Sequence, residues 1–249
     1  MNIEKWRRRL VLIATDVHID GLEHDSEGLN LLKNQEVTIY PIKNSEEFEE
    51  KFTLLGGIMP QPGMLLLMSP YDDNTYVELS DARSLIAIEK ASLTLRFCSL
   101  LGAKSVSVKN IKIVDKEKHQ ELNLDAEYNI ISGSLKAQQA EIENLKNQIN
   151  VNATFYGGNP DFDKAMRLLK SSRLHSDPFL KNLFEMVKES KETGNQIFEL
   201  SQEVSLTHSL QKTFNLVASI KFPGGIVNSN YNSVTKEKID IFLGLIIKF

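Results

Sequence analysis

The sequence predicts an α+β fold, with long antiparallel strands packed with helices and a small α/β unit ahead of them. Three observations carry this. Even-numbered positions from Phe198 to Phe222 are mainly apolar and the odd positions between them mainly polar. That two-residue period puts one face of a strand in a core and the other in water. The alternation returns at Ile239, Ile241, Leu243, Leu245, Ile247 and Phe249. Residues 82–101 instead crowd apolar side chains onto more than one helical face, as in a helix covered on most sides.

The remaining elements follow in chain order. Leu10-Val11-Leu12-Ile13-Ala14 is a continuous apolar run, after which Val17 and Ile19 alternate with Asp16, His18 and Asp20. A strand whose end emerges into solvent is expected there. Residues 20–34 read as a polar connection, and Glu36 to Tyr40 as a second strand ended by Pro41. Ser45 is placed to cap a helix from Glu46, with Phe48, Phe52 and Leu55 on one face and Gly56-Gly57 as its stop. Met64 to Met68, bounded by Pro62 and Pro70, reads as a buried strand. Asp81 caps the long helix and Gly102 ends it.

Beyond Gly102, Val106 and Val108 lie on one strand parity and Ile111 and Ile113 on the other. The slip at Asn110 predicts a bulge. With the alternation of Leu122, Leu124, Ala126, Tyr128 and Ile130, residues 104–131 read as a long hairpin. Residues 134–149 fit an amphipathic helix through Leu135, Ile142, Leu145 and Ile149, and a strand is expected over 148–156. The same stretch also fits a strand, because Leu135, Ala137, Leu145, Ile149, Val151, Ala153 and Phe155 share one parity. Gly157-Gly158-Asn159-Pro160 is a turn. Asp161-Phe162-Asp163 opens a short helix, and Pro178 starts another that Gly194-Asn195 ends. The run 198–222 exceeds a typical strand, so it is one long twisted strand or bends near Leu210-Gln211-Lys212. The final strand is expected to pair with it. Residues 1–102 then form an α/β portion and 103–249 an α+β portion, with no Pro/Gly/Ser-rich linker between them.

Composition limits function only broadly. The net charge of −4 disfavours nucleic-acid binding, which needs a concentrated positive field. The densest basic cluster, Lys5-Trp6-Arg7-Arg8-Arg9, reads as a solvated cap before the first strand. Cys98 is the only cysteine, which rules out an intramolecular disulfide and a thiolate zinc site. Its apolar neighbours predict a buried, inert thiol. No secretory signal and no run of 18 apolar residues is visible, so cytoplasmic residence is expected. Isolated glycine pairs do not form a phosphate cradle.

One cluster has the composition of a metal site. On a strand, Asp16, His18 and Asp20 would share one side and offer two carboxylates and an imidazole to a divalent cation. Asp-x-His after an apolar strand resembles the first motif of the calcineurin-like metallophosphoesterases, over about ten residues. The resemblance implies a metal-dependent hydrolase. The nearest echo of a later motif, Gly158-Asn159-Pro160-Asp161, has proline where that family has histidine. No other cofactor is implied.

Three function classes follow. The first is a non-enzymatic interaction or scaffold protein, meeting a protein partner or a second copy through Leu135, Ile142, Leu145 and Ile149. The second is a membrane-active or pore-forming protein built on amphipathic strands in 104–131 and 198–222. The third is the hydrolase at Asp16, His18 and Asp20.

Overall fold

Two sheets, one mixed and one antiparallel, organise the computed structural model, which describes residues 8–43, 48, 50–115, 120–123, 144–145, 147–149, 152–223, 225–227 and 239–249. The fold is α+β. The chain forms two compact units that interleave in sequence: residues 1–86 with 209–238, and residues 87–208 with 239–249.

The first unit is built on β1 (Leu10–Ala14), whose five residues are all buried. Its sheet runs in the order β2-β1-β4-β5-β3, with β2 at Val37–Pro41, β3 at Thr53–Leu54, β4 at Leu65–Met68 and β5 at Thr75–Glu78. β1 and β2 are parallel, from Leu10 opposite Val37 to Ala14 opposite Pro41. Parallel neighbours need a crossover, and α1 (Asp16–Glu23) and α2 (Ser26–Lys33) supply it. The expected emerging strand end and polar connection over 16–34 are therefore two helices. Their start signals are local. The Thr15 hydroxyl accepts from the His18 N–H at 3.2 Å, and Asp25 accepts from the Gly28 N–H at 2.8 Å. Each is an N-cap, satisfying amide hydrogens that a new helix leaves without partners. Gly28 also lets α2 pass close to α1, because a Cβ there would overlap the Leu22 carbonyl.

Val11, Ile13, Tyr40, Phe48, Phe52, Leu66 and Tyr76 form this unit's aromatic-rich core. The helix expected from Glu46 to Leu55 does not run to Leu55, and residues 46, 47 and 49 lie outside the described residues. Phe52 closes one turn on the Phe48 carbonyl at 2.9 Å, and Thr53–Leu54 then pair with β5 as a parallel strand. The four-residue spacing of Phe48 and Phe52 arises from that single turn, with ring centroids 4.9 Å apart. Of the basic cluster, Arg8 donates to the carbonyls of Asn34 and Val37 at 2.7 and 3.0 Å. Residues 5–7 lie outside the described residues.

The long helix α3 (Ala82–Leu100) starts in the first unit and continues into the second. Gly102 follows it at φ +85°, and a Cβ there would sit 2.5 Å from the Gly158 carbonyl oxygen. The second unit carries the antiparallel sheet β7-β6-β10-β9, with β8 also against β6. These strands are β6 (Ser105–Asp115), β7 (Gln120–Asn123), β8 (Asn152–Thr154), β9 (Glu199–Ser205) and β10 (Ile239–Lys248). β6 and β7 form the expected hairpin as far as Asn123. Residues 124–131 lie outside the described residues.

The bulge is where the parity slip placed it. Gly244 opposes Asn110 and Leu245 opposes Val108, which leaves Lys109 as the extra residue of β6. The Asn110 side chain occupies the space a Cβ on Gly244 would need. Helices α4 (Phe162–Ser171) and α5 (Pro178–Thr193) begin on the side chains of Asp161 and Asp177. A side-chain hydrogen bond from Lys164, then one from its backbone, hold the Asp161 carboxyl below the usual carboxylate range. Gly194 ends α5 in the left-handed region at φ +75°.

The run 198–222 is half strand and half helix. β9 ends at Ser205, a 3-10 turn follows at His208–Leu210, and α6 occupies Gln211–Ser219. Leu210, Phe214 and Val217 are the buried positions, at intervals of four and three. Leu210 and Phe214 also share the even parity, so one set of residues satisfied both periods. Lys212 and Ala218, counted on the strand's inner face, are exposed on the helix. The Arg83 guanidinium lies 5.5 Å from the Phe214 ring centroid.

Gly244→Ala is expected to destabilise the protein by about 2 kcal/mol, because a methyl group forced against Asn110 overpacks the bulge. Urea denaturation measures it, and an unchanged midpoint would show that the two strands separate there at no cost.

Candidate functional site

Among the described residues, β9 is the outer strand of its sheet. Two hydrogen bonds fix which of its backbone groups face inward. The Phe249 N–H donates to the Phe198 carbonyl at 3.0 Å, and the Leu206 N–H to the Ile241 carbonyl at 2.8 Å. In an antiparallel ladder such pairs alternate. Leu200, Gln202 and Val204 therefore turn their N–H and C=O groups toward β10. Glu199, Ser201, Glu203 and Ser205 turn theirs away from the sheet. Glu199, Ser201 and Glu203 are all exposed.

The outward carbonyl of Ser205 is occupied. Lys90 Nζ donates to it at 2.6 Å and to Asp177 Oδ2 at 2.5 Å. The Lys90 side chain is 3% exposed. The other oxygen of Asp177 accepts from the Leu180 N–H at 3.1 Å, so one carboxylate both pairs the ammonium and caps α5. The two acidic side chains of the edge are drawn back across the sheet. Glu199 pairs with Lys248 at 3.5 Å and Glu203 with Lys112 at 3.1 Å. These pairings leave the outward backbone groups of residues 199–203 uncovered by their own side chains.

A cavity of about 390 Å³ opens where β9 begins. Lys104 N–H donates to the Lys248 carbonyl at 2.6 Å, and Phe155 N–H to the Lys104 carbonyl at 2.7 Å. With the Phe249–Phe198 bond, these line up four chain segments at this end of the sheet. Leu101, Val187, Ile197, Phe198 and Phe249 supply apolar wall. Phe198 is 71% exposed, a large ring left in water. The charged side chains lining the cavity are Lys104 and Lys191. Lys104 Nζ donates to a backbone oxygen of Phe249 at 3.0 Å, and Lys191 Nζ lies 3.5 Å from Asn159 Oδ1.

The residues singled out from sequence lie elsewhere. Asp16, His18 and Asp20 are on α1, where a two-residue step turns a side chain by about 200°. His18 is thus directed away from both carboxylates. Asp16 pairs with Lys43 at 3.7 Å, and the half-buried His18 leaves Nδ1 without a hydrogen bond among the described residues. No group of three or more His, Cys, Asp or Glu among the described residues is placed to hold a metal ion. The strand geometry behind the metallophosphoesterase resemblance is absent. Leu145 and Ile149 are buried at 1% and 2% exposure, so they do not present a free seam. Residues 144, 145, 147 and 148 are helical, whereas Leu135 and Ile142 lie outside the described residues. Asp72 closes its own turn, accepting from Thr75 Oγ1 at 2.6 Å and the Asn74 N–H at 3.2 Å. Burial, then the charge of Asp81, raise the Glu78 carboxyl above its ordinary value.

Neither family models, curated protein sequences nor solved structures give a match to this chain. Among the described residues, no helix is long and apolar enough to cross a membrane.

Two outcomes follow. Lys90→Met strands the Asp177 carboxylate and the Ser205 carbonyl, and should cost about 3 kcal/mol in urea denaturation; a loss within experimental error would remove the pair from the account of how β9 is held. Burial pushes the Cys98 thiol up to about 12, leaving about one thiolate in ten thousand at pH 8. Native protein should therefore resist Ellman's reagent at that pH and react promptly in urea. Rapid labelling of the folded form would contradict the buried placement.

Proposed function

We propose that the chain is a non-enzymatic protein-interaction module that takes an extended segment of a partner as an added strand on β9. The observation that carries this reading is the exposed outer edge over Glu199–Glu203, with its backbone donors and acceptors directed away from the sheet. Main-chain hydrogen bonds give such an addition its affinity, and alternate side chains give it selectivity.

The side chains favour a different protein over a second copy at this edge. Two β9 strands paired antiparallel about Ser201 would set Glu199 opposite Glu203, and like charges directly opposed are destabilising. A partner strand with basic residues at those two positions meets both glutamates favourably. The alternative reading as a membrane-inserting strand pair drew on residues 198–222. Of these, 208–219 are turn and helix, so that length argument loses its support there.

Ser201→Pro tests the proposal. The Ser201 N–H points outward, so proline removes a partner-facing donor without taking a bond from the sheet. Decapeptides selected from a random display library against the native protein should bind the variant at least about tenfold more weakly, or about 1.4 kcal/mol. The melting temperature should stay within a few degrees. If every selected peptide binds the variant equally well, strand addition at β9 is wrong.

A further inference from the structure

Resting on the strand-addition reading, we infer that the strand taken by β9 is amphipathic, and that its apolar side chains pack on a flank of α5 that lies beneath the open edge and includes Met186. Helix and strand run side by side. Asp177, just before α5, and the Ser205 carbonyl, at the end of β9, share the Lys90 ammonium. Val187, Ser190 and Lys191, near the end of α5, line the same cavity as Ile197 and Phe198, just ahead of β9. The 16 residues of α5 span about 24 Å, and the 7 residues of β9 about 23 Å. The two elements are therefore antiparallel and matched in length.

The apolar arc of α5 is lopsided. Leu180, Leu183, Phe184 and Val187 are buried. On one side of Phe184 the arc stops at once, at the exposed Lys181, Glu185 and Lys188. Phe184 itself lies 6.5 Å from Phe97 of α3 and 5.5 Å from Phe162 of α4. α3 leads directly into β6, an inner strand, so Phe184 marks the inward side of α5. In the other direction Leu183, Phe179 and Met186 fall progressively further round, at about 100°, 140° and 160° from Phe184. Phe179 is half-buried and Met186 is 39% exposed. An apolar flank thus turns outward, past the edge of β9.

The sheet is open on the matching side. Val204 and Leu206 are buried on the core side of the chain, whereas Leu200, on the same side, is half-buried and Gln202 is exposed. Met186 comes nine residues after Asp177, a rise of about 13.5 Å. That equals about four strand residues back from Ser205, which brings Met186 level with Gln202 and Leu200. Among the described residues, an unfilled strip runs between these two and the flank of α5. The backbone edge above it is satisfied by an extended chain, and directly opposed residues of two strands project to the same side. Partner residues opposite Leu200 and Gln202 therefore turn down onto Met186. Those opposite Glu199, Ser201 and Glu203 project to the other face. The partner is a strand with basic residues on one face and aliphatic ones on the other.

This pattern reads the same in both directions, so a probe needs no assigned polarity. The peptide amide Thr-Lys-Leu-Thr-Leu-Lys-Thr sets lysines against Glu199 and Glu203 and leucines against Leu200 and Gln202. Its counterpart has serine in place of both leucines. Each carries an N-terminal fluorescein and is titrated by anisotropy. The leucine peptide should bind at least about tenfold more tightly than the serine peptide. Met186→Gln, neutral and of similar length, should cut that preference at least about threefold, while Met186→Leu should keep it. Both variants should melt within a few degrees of the native protein. Equal binding of the two peptides, both weakened by Ser201→Pro, would overturn the role of α5 and leave strand addition standing. A leucine preference undiminished by Met186→Gln, in peptides weakened by Ser201→Pro, would do the same. Binding indifferent to Ser201→Pro would overturn both. No binding of either peptide at about 1 mM would overturn the role of α5, with the library selection still judging β9 itself.

Discussion

The Lys90 ammonium is the constraint on which the second unit depends. A buried charge of this kind is tolerated only when paired and hydrogen-bonded. Its partners come from two distant parts of the chain, the Asp177 carboxylate at the start of α5 and the Ser205 carbonyl at the end of β9. α3, α5 and β9 are thereby held in one relation, because sliding any of them strands a charge or a carbonyl. An apolar side chain at position 90 would fill space but would not choose a register. The pairing also decides how much of the edge is open. Lys90 occupies the outward carbonyl of Ser205, so the exposed backbone stops there and extends only toward Phe198 and the cavity.

The outer face of the same sheet is arranged around the missing side chain of Gly244. Asn110 lies in that gap, and Glu203 and Gly244 are register neighbours. Lys112, two residues beyond Asn110, reaches Glu203. A bulge increases local twist, and here it also shifts β6 by one residue so that Asn110 rather than Lys109 faces Gly244. The polar side of the sheet thus carries two ion pairs that cross between strands, Glu203 with Lys112 and Glu199 with Lys248.

Much of this architecture was legible in the sequence, for reasons visible residue by residue. β1 and β4 are short apolar runs bounded by polar residues or turns. The Asn110 bulge follows from a change of parity. Asp161, Pro178 and Gly194 mark helix ends by local chemistry. What failed was ambiguity between periods. Val17 and Ile19 alternate with charged residues, yet Thr15 caps a helix whose exposed face includes Val17, 77% exposed. Leu210 and Phe214 satisfy a strand and a helix alike, and only the position of Val217 separates them. The strand on which the Asp16, His18 and Asp20 cluster was drawn is a helix, which turns His18 away from the two carboxylates. The candidate site was half legible. Alternation identified β9 as a strand, but an edge is defined by which neighbour pairs with it, and that strand, β10, lies about forty residues later in the chain. Lys90, one cation in an apolar helix, and Asp177, an acid before a proline, each carried a weak signal that becomes specific only when the fold brings them together.

An open sheet edge invites indiscriminate pairing, and charged side chains are a common defence. β9 uses the defence selectively. Glu199 and Glu203 oppose a second β9, but each is held by a lysine behind the edge, so neither covers the backbone it protects. Two such edges paired antiparallel about Ser201 would set Glu199 against Glu203, and among the described residues no side chain lies on the outward backbone groups of residues 199, 201 and 203. At one end Lys90 closes the edge, and at the other the cavity widens it beside an exposed aromatic ring. The two ends of the strand are chemically unlike: a buried ammonium takes the Ser205 carbonyl at one, and the exposed ring of Phe198 precedes the other.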